Sequence, residues 1–166
     1  KLYLVSRTDD EIVIFDINGD GSLAAGPTTA TTDPDPTALV FNPNGSTAYL
    51  LRADNSQDSL QVMNVSASGD VAASGSFFDV DTNAIDLVLN DDASSLYVIE
   101  TNNSEVHHYS VNSSTGDLTF VASFGLSFTP SDLTLSHTGA ELYVSHSSND
   151  LVSTLSVNTT DGTLEV

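Results

Sequence analysis

The feature that most constrains the fold is a short motif that occurs four times at nearly constant spacing. It centres on Tyr3, Tyr49, Tyr97 and Tyr143, which lie 46, 48 and 46 residues apart. Each tyrosine belongs to a short apolar run, such as the residues 96–99, Leu-Tyr-Val-Ile. Self-similarity at a period of about 40–50 residues is typical of proteins built from repeated supersecondary units. The sequence therefore predicts an array of similar units.

Each unit contains the pattern of four β-strands. An apolar alternation such as 84–89 precedes the tyrosine run, and further alternating runs such as 106–111 follow it. The connecting segments are rich in Gly, Asn, Asp and Ser, as in 113–117. Period-two alternation bounded by such turns predicts antiparallel strands joined by hairpins. Because no stretch has a helical period, we predict an all-β protein whose strands follow the order A, B, C, D in each unit.

Four-stranded antiparallel units of this length predict the blades of a β-propeller. Each small sheet has two apolar faces and buries them only between neighbouring sheets. A β-sandwich, the main alternative, does not predict such a regular set of four strands. We predict a single propeller segment of about 3.75 blades, with units at approximately 1–35 (partial), 36–82, 83–129 and 130–166 (partial).

The blade number leaves three arrangements open. A four-bladed ring could close with one strand missing, two chains could assemble, or the segment could be about half of a longer propeller. We favour the last, because an open end leaves a sheet face and a strand edge uncovered. The expected partners are therefore other blades of the same longer chain or a second copy.

The composition is strongly acidic and restricts the binding partners. Three basic residues face 23 acidic ones, which gives a formal charge of −20. A nucleic-acid surface needs clustered Lys and Arg, and an anionic membrane is disfavoured for the same reason. No apolar run approaches the roughly 20 residues of a membrane-spanning helix. We expect a secreted or cell-surface protein adapted to high salt, where counterions screen the repulsion between its charges.

Two further features concern covalent chemistry. The chain has no cysteine, which excludes disulfides and thiolate chemistry. Sequons for N-glycosylation begin at Asn44, Asn64, Asn102, Asn112 and Asn158, but a chain this rich in Asn, Ser and Thr also produces them by chance.

The repeats resemble those of a known family. The segments Tyr97-Val-Ile-Glu100 and Tyr143-Val-Ser-His146, each followed by a strand ending in Ser-Val-Asn and a Thr-Gly-Asp-Leu or Asp-Gly-Thr-Leu turn, are similar to the YVTN repeats shared with seven-bladed lactonase-like propellers. The resemblance implies about half of a seven-bladed ring. It also implies two classes of function: a propeller scaffold that binds a protein or carbohydrate ligand, which we favour, and a lactonase-like hydrolase or cycloisomerase acting on sugar lactones.

The candidate ligand-binding residues occupy the fourth position of each tyrosine motif: Ser6, Arg52, Glu100 and His146. In a propeller the strand B ends and the loops B-to-C and D-to-A lie on one face. A catalytic site for lactones would use these residue types: Arg52 could hold an anion, and Glu100 and His146 could carry out acid–base chemistry. The alternative is that this position caps the following loop and accepts any polar residue.

One turn resembles the first half of a calcium-binding loop. Asp16, Asn18 and Asp20 precede Gly21 in the pattern D-x-[DN]-x-[DN]-G, in which alternate oxygen ligands converge on a hard cation. The glutamate that closes such a loop is missing, and the segment lies where each unit has its C-to-D hairpin. Calcium binding and an ordinary hairpin turn are both open interpretations, and the sequence requires no other cofactor.

Overall fold

The protein is built from β-strands alone in the part of the chain that the structure describes. The computed structural model describes residues 1–26, 28–53, 58–80 and 83–165. No helix within those ranges has the length and apolar character needed to cross a membrane. The strands are β1 (Leu2–Ser6), β2 (Glu11–Phe15), β3 (Thr28–Thr31), β4 (Pro36–Phe41), β5 (Thr47–Arg52), β6 (Ser59–Val65), β7 (Val71–Asp79), β8 (Ala84–Leu89), β9 (Ser95–Glu100), β10 (Glu105–Val111), β11 (Leu118–Gly125), β12 (Asp132–Leu135), β13 (Glu141–His146), β14 (Leu151–Val157) and β15 (Leu164–Glu165).

The strands form four antiparallel sheets in chain order, and each strand pairs with its sequence neighbour. Blade 1 contains β1–β3, blade 2 contains β4–β7, blade 3 contains β8–β11 and blade 4 contains β12–β15. Among the described residues, blade 1 has three strands and each of the other blades has four. The first strands of blades 2 to 4 contact one another in succession, β4 with β8 and β8 with β12. This is the arrangement of inner strands in a propeller, and it confirms the predicted fold class.

The hydrophobic core consists of three clusters, one in each seam between successive blades. Ile12 and Met63 are buried in the seam between blades 1 and 2. Tyr49 and Val98 are buried between blades 2 and 3, and Tyr97 and Val144 between blades 3 and 4. Each sheet thus buries a face only against its neighbour, which is why the apolar alternation recurs in every unit.

A repeated hydrogen bond joins each blade to the next, and we call it the tyrosine latch. The strand B tyrosine of one blade donates its hydroxyl hydrogen to the carbonyl oxygen of a glycine in the C-to-D hairpin of the following blade. Each of these glycines has a positive φ, which favours glycine over other residues. The pairs are Tyr3 with Gly69 at 2.8 Å, Tyr49 with Gly116 at 3.0 Å and Tyr97 with Gly162 at 2.7 Å.

The loops B-to-C and D-to-A meet on one side of the propeller, which we call the loop face. The Leu126 amide donates to the Ser104 carbonyl oxygen at 2.7 Å, and the Thr101 amide donates to the Asn83 carbonyl oxygen at 3.0 Å. These bonds join the B-to-C loop of blade 3 to the D-to-A loop before this blade and to the one after it. The strand B ends, with the candidate residues, therefore lie at the loop face, while the tyrosine latches lie at the opposite end of the strands.

Candidate functional site

Three of the fourth-position residues lie in separate seams, and the fourth, Ser6, lies outside them. In a strand, residues three apart point to opposite faces. Because each strand B tyrosine faces the next blade, the residue three positions later faces the preceding one. Arg52 therefore points toward blade 1, Glu100 toward blade 2 and His146 toward blade 3. Ser6 lies on the free face of blade 1, where its hydroxyl donates to Asp9 Oδ2 at 2.7 Å.

Arg52 makes its contacts within its own seam. Its Nε donates to the Pro34 carbonyl oxygen at 3.3 Å, and its Nη1 donates to Ser59 Oγ at 3.2 Å. The guanidinium lies 5.8 Å from the centre of the Phe77 ring, a cation–π distance. The arginine thus ties the loop before β4 to the strands β5, β6 and β7.

Glu100 is a buried carboxylate that accepts backbone hydrogen bonds. The residue is only 1% exposed. The Asn103 amide donates to its Oε1 at 2.9 Å and to its Oε2 at 3.2 Å, so the carboxylate caps the loop between β9 and β10. Burial raises the pKa of Glu100, and these amide hydrogen bonds oppose the rise.

Both ring nitrogens of His146 are engaged. The residue is 1% exposed. Nδ1 lies 3.2 Å from the Thr129 carbonyl oxygen, which can only accept, so Nδ1 carries a hydrogen. Nε2 lies 2.8 Å from Ser153 Oγ, and the Phe128 ring meets the imidazole edge-on at 6.0 Å between centres. These contacts fix the imidazole between the loop before β12 and the strand β14.

The three proposed catalytic residues form their hydrogen bonds with different parts of the propeller. Arg52, Glu100 and His146 are each held by groups of their own seam, and no hydrogen bond or ion pair recorded between described residues joins any two of them. Glu100 caps the following loop, as in the capping alternative, whereas Arg52 and His146 each contact the loop before strand A and a serine of strand C. A catalytic role for the three residues, with ligand binding by Ser6, stays a prediction.

The structure contains a cluster of potential metal ligands that the sequence analysis did not predict. One ligand atom each from Glu100, Glu105 and His107 can be chosen so that all lie within 4.8 Å of one another, and this is the only such group among the described residues. His107 Nε2 lies 3.2 Å from Glu105 Oε2. Pairing of Glu100 with Glu105 in the β9–β10 register and the alternation Glu105-x-His107 place all three on one face. That pairing is the sequence signal that could have found the cluster.

A carboxyl pair on the inner strands was also missed. Asp86 on β8 shares a hydrogen bond with Asp132 on β12, and partial burial together with this neighbour raises the pKa of Asp86 to about 6. The amides of Leu87 and Leu133 donate to the Asp86 carboxylate at 2.9 and 3.4 Å and oppose the rise. Both aspartates precede a leucine at the same place in strand A of their units, which is a readable signal.

The groups of the calcium-like turn have partners inside the protein. Asp16 Oδ1 accepts a hydrogen bond from Lys1 Nζ at 2.9 Å. Asp20 Oδ1 accepts from the Ser22 amide and hydroxyl at 3.0 and 2.7 Å, and Asn18 Nδ2 donates to Ser22 Oγ at 2.9 Å. These bonds are those of a hairpin turn. Calcium binding by Asp16, Asn18 and Asp20 stays a prediction.

Comparison with known proteins agrees with this architecture. The profile of a family described as "Lactonase, 7-bladed beta-propeller" matches residues 69–166, which is more than half of the chain. The chain belongs to this lactonase propeller family. The predicted resemblance is therefore confirmed. A search of curated proteins found no match.

Solved structures similar to this family member share its fold at low sequence identity. A candidate 6-phosphogluconolactonase from Bacteroides uniformis superposes with a TM-score of 0.86 at 20% identity, over 98% of this chain and 49% of that one. A protein from Lactobacillus plantarum gives 0.81 at 21%, over 95% and 48%. The periplasmic gluconolactonase of Pseudomonas aeruginosa gives 0.78 at 19%, over 95% and 47%. The chain spans about half the length of these proteins.

Proposed function

We propose that this chain is a binding propeller, part of a secreted or cell-surface scaffold that takes a protein or carbohydrate ligand at its loop face. The observation that carries the proposal is that Arg52, Glu100 and His146 are each engaged in hydrogen bonds within the protein. Each forms local contacts that hold loops in place. Such contacts shape a rigid face, whereas a nucleophile or a general base needs access to a substrate. The acidic surface fits a salty exterior.

Lactone hydrolysis is the second candidate, and two observations favour it. The first is membership of the lactonase propeller family. The second is the Asp86–Asp132 pair on the inner strands, because a carboxyl whose pKa is about 6 can both give and take a proton near neutral pH. The substrate class would be sugar lactones, as the names of the similar proteins suggest.

One set of variants separates the two candidates. Hydrolysis of gluconolactone and 6-phosphogluconolactone is measured above the spontaneous rate for the wild type, for Asp86→Asn and for the triple variant Arg52→Ala, Glu100→Gln, His146→Gln. Asp92→Asn in an exposed turn is the control. The binding proposal expects no variant-sensitive hydrolysis. Activity lost in Asp86→Asn or in the triple variant, but kept in the control, would establish the enzyme instead.

We also propose that further propeller blades pack against the two end faces of this segment. Tyr143 is the strand B tyrosine of blade 4, at the position of the latch tyrosines, and it is 36% exposed. Val152 on the same blade is 61% exposed. At the other end, Gly21 holds the place of the latch glycines with φ +84°, and a Cβ added there would meet no atom within 4 Å. The same tyrosine-to-glycine bond joins every pair of successive blades in the structure. Another blade would therefore fit at each end, with its glycine at Tyr143 or its tyrosine at Gly21. We propose that these blades belong to the same longer chain, since the similar proteins are about twice as long.

Sedimentation of the 166-residue chain tests this partner. A monomer that binds a hydrophobic dye, with less dye bound after Val152→Ser, is expected. Val121→Ser, at an exposed valine of β11, is the matched control. A dimer that Val152→Ser dissociates would make a second copy the occupant. A monomer whose dye binding is the same in both variants would mean that the end face docks nothing.

A further inference from the structure

The cluster of Glu100, Glu105 and His107 has the dimensions of a metal site. The 3.2 Å between His107 Nε2 and Glu105 Oε2 is close to the ligand–ligand separation of about 3.3 Å that a tetrahedral ion with bonds of about 2.0–2.1 Å requires. The ligand atoms of all three residues lie within 4.8 Å of one another. Small side-chain rotations would therefore bring all three onto one ion.

The positions equivalent to Glu100, Glu105 and His107 in the other blades carry different sets of residue types. The strand register makes each set equivalent: the last residue of strand B, its partner on strand C and the residue two further on. In blades 2 and 4 these positions form side-chain hydrogen bonds, Arg52 to Ser59 at 3.2 Å and His146 to Ser153 at 2.8 Å. Only in blade 3 do all three positions carry metal-ligand side chains. The sets are Ser6, Glu11 and Val13; Arg52, Ser59 and Gln61; Glu100, Glu105 and His107; and His146, Leu151 and Ser153.

Burial makes the cluster more than a group of surface acids. Glu100 is 1% exposed and His107 is 4% exposed. Two carboxylates face each other across the β9–β10 pair, one buried and one partly exposed, with the His107 imidazole beside them. The chain has three basic side chains, and each has contacts elsewhere: Lys1 with Asp16, Arg7 with Asp35, and Arg52 with Pro34 and Ser59. A divalent cation between the two carboxylates would offset their negative charge.

A cavity gives an ion access to the cluster. A cavity of about 370 Å³ opens between blades 2 and 3 and is lined by Glu105 and His107, with Asp79 and Phe120 among the other lining residues. The cavity leaves room for water in the remaining coordination positions. The Asn103 amide holds both Glu100 oxygens, as an outer-sphere donor orients a metal ligand.

We propose that Glu100, Glu105 and His107 bind a divalent transition-metal ion, with Zn²⁺ as the best fit, in the seam between blades 2 and 3. Imidazole with two carboxylates suits Zn²⁺, whereas Ca²⁺ and Mg²⁺ take oxygen ligands. On binding, the ion replaces the hydrogen between His107 and Glu105, and that proton passes to solvent. The open coordination positions face the cavity. The proposal does not depend on whether the propeller binds a ligand or cleaves a lactone.

Titration calorimetry and the visible spectrum of bound Co²⁺ test the proposal on the metal-free chain. We expect one Zn²⁺ per chain, a higher melting temperature with Zn²⁺, and Co²⁺ absorption of the intensity typical of low coordination number. The variants Glu105→Gln and His107→Gln should each weaken binding more than about tenfold. Excess Ca²⁺ should not displace Zn²⁺.

Glu11→Gln is the matched control, because Glu11 occupies the place of Glu105 in blade 1 but faces Ser6. Circular dichroism checks that each variant folds, and the partly exposed Glu105 provides a test should His107→Gln fail to fold. Equal Zn²⁺ affinity in the wild type and in Glu105→Gln would overturn the site. So would an equal loss in Glu11→Gln, or no Zn²⁺ binding by the wild type.

Discussion

The tyrosine latch between blades 3 and 4 provides the sharpest test of how the blades hold together. Tyr97 donates to the Gly162 carbonyl oxygen at 2.7 Å in a fully buried seam. Removing the hydroxyl in Tyr97→Phe leaves that carbonyl without its donor. An unsatisfied buried polar group costs about 1–3 kcal/mol. We therefore expect Tyr97→Phe to lower the free energy of unfolding by an amount in that range.

The glycine side of the latch gives an independent measure. Gly162 has φ +75°, and a Cβ added there would lie 2.6 Å from His108 Nε2 and would also clash with Ser95 Oγ. The left-handed conformation costs an alanine about 1–2 kcal/mol, and overpacking adds about 1–3 kcal/mol. Gly162→Ala should therefore cost about 2–5 kcal/mol.

Gly139→Ala separates the two contributions. Gly139 has φ +69°, and a Cβ there would meet no atom within 4 Å. This variant should cost only the backbone part, about 1–2 kcal/mol. Urea unfolding followed by circular dichroism gives all three values. Equal losses in Gly162→Ala and Gly139→Ala, together with no loss in Tyr97→Phe, would refute the idea that the latch stabilises the seam.

Three further outcomes follow from charge and burial. The pKa of Asp86 is raised from 3.8 to about 6, so its stabilising contribution is complete below about pH 4 and is lost as pH rises to 6. Asp86→Asn should therefore flatten the pH dependence of the unfolding midpoint between about pH 4 and 6. The native carboxyl of Asp92 has a lowered pKa, so Asp92→Asn should leave that window unchanged and alter the pH dependence only below about pH 4. Burial raises the pKa of Tyr97 to about 12, so stability should fall as pH rises from 10 to 12, and Tyr97→Phe should reduce that fall in pH-dependent melting. The charge of −20 predicts a melting temperature that rises with NaCl from low to molar concentration, and a flat or falling series would contradict a role for charge screening.

The fold was predictable because its signals are local and repeated. The tyrosine spacing and the alternating runs specify four strands per unit, and turn residues specify the hairpins between them. Alternation also predicts that neighbouring histidines point to opposite faces. His107 lies beside Glu105, and His108 stacks on Tyr97 at 5.1 Å between ring centres. The loop face followed in the same way from strand order.

The site was harder to predict because its contacts cross strand pairs and seams. Motifs such as the calcium loop relate residues at fixed spacing in one segment, whereas Glu100 meets Glu105 through the strand register. Asp86 and Asp132 meet through two inner strands of successive blades. Motif position and residue type predict the fourth-position residues, but their chemistry depends on neighbours such as Ser59 and Ser153.

The sequence by itself determined the strand pattern, the repeat and the acidic character, since each depends on residue type and short-range order. Only the tertiary structure decided which polar groups meet in the seams. A latch joins residues 65 to 67 positions apart, and the period alone does not say which atom a tyrosine hydroxyl reaches. The packing of one blade on the next fixes these pairs, because each sheet buries its apolar face at one register against its neighbour.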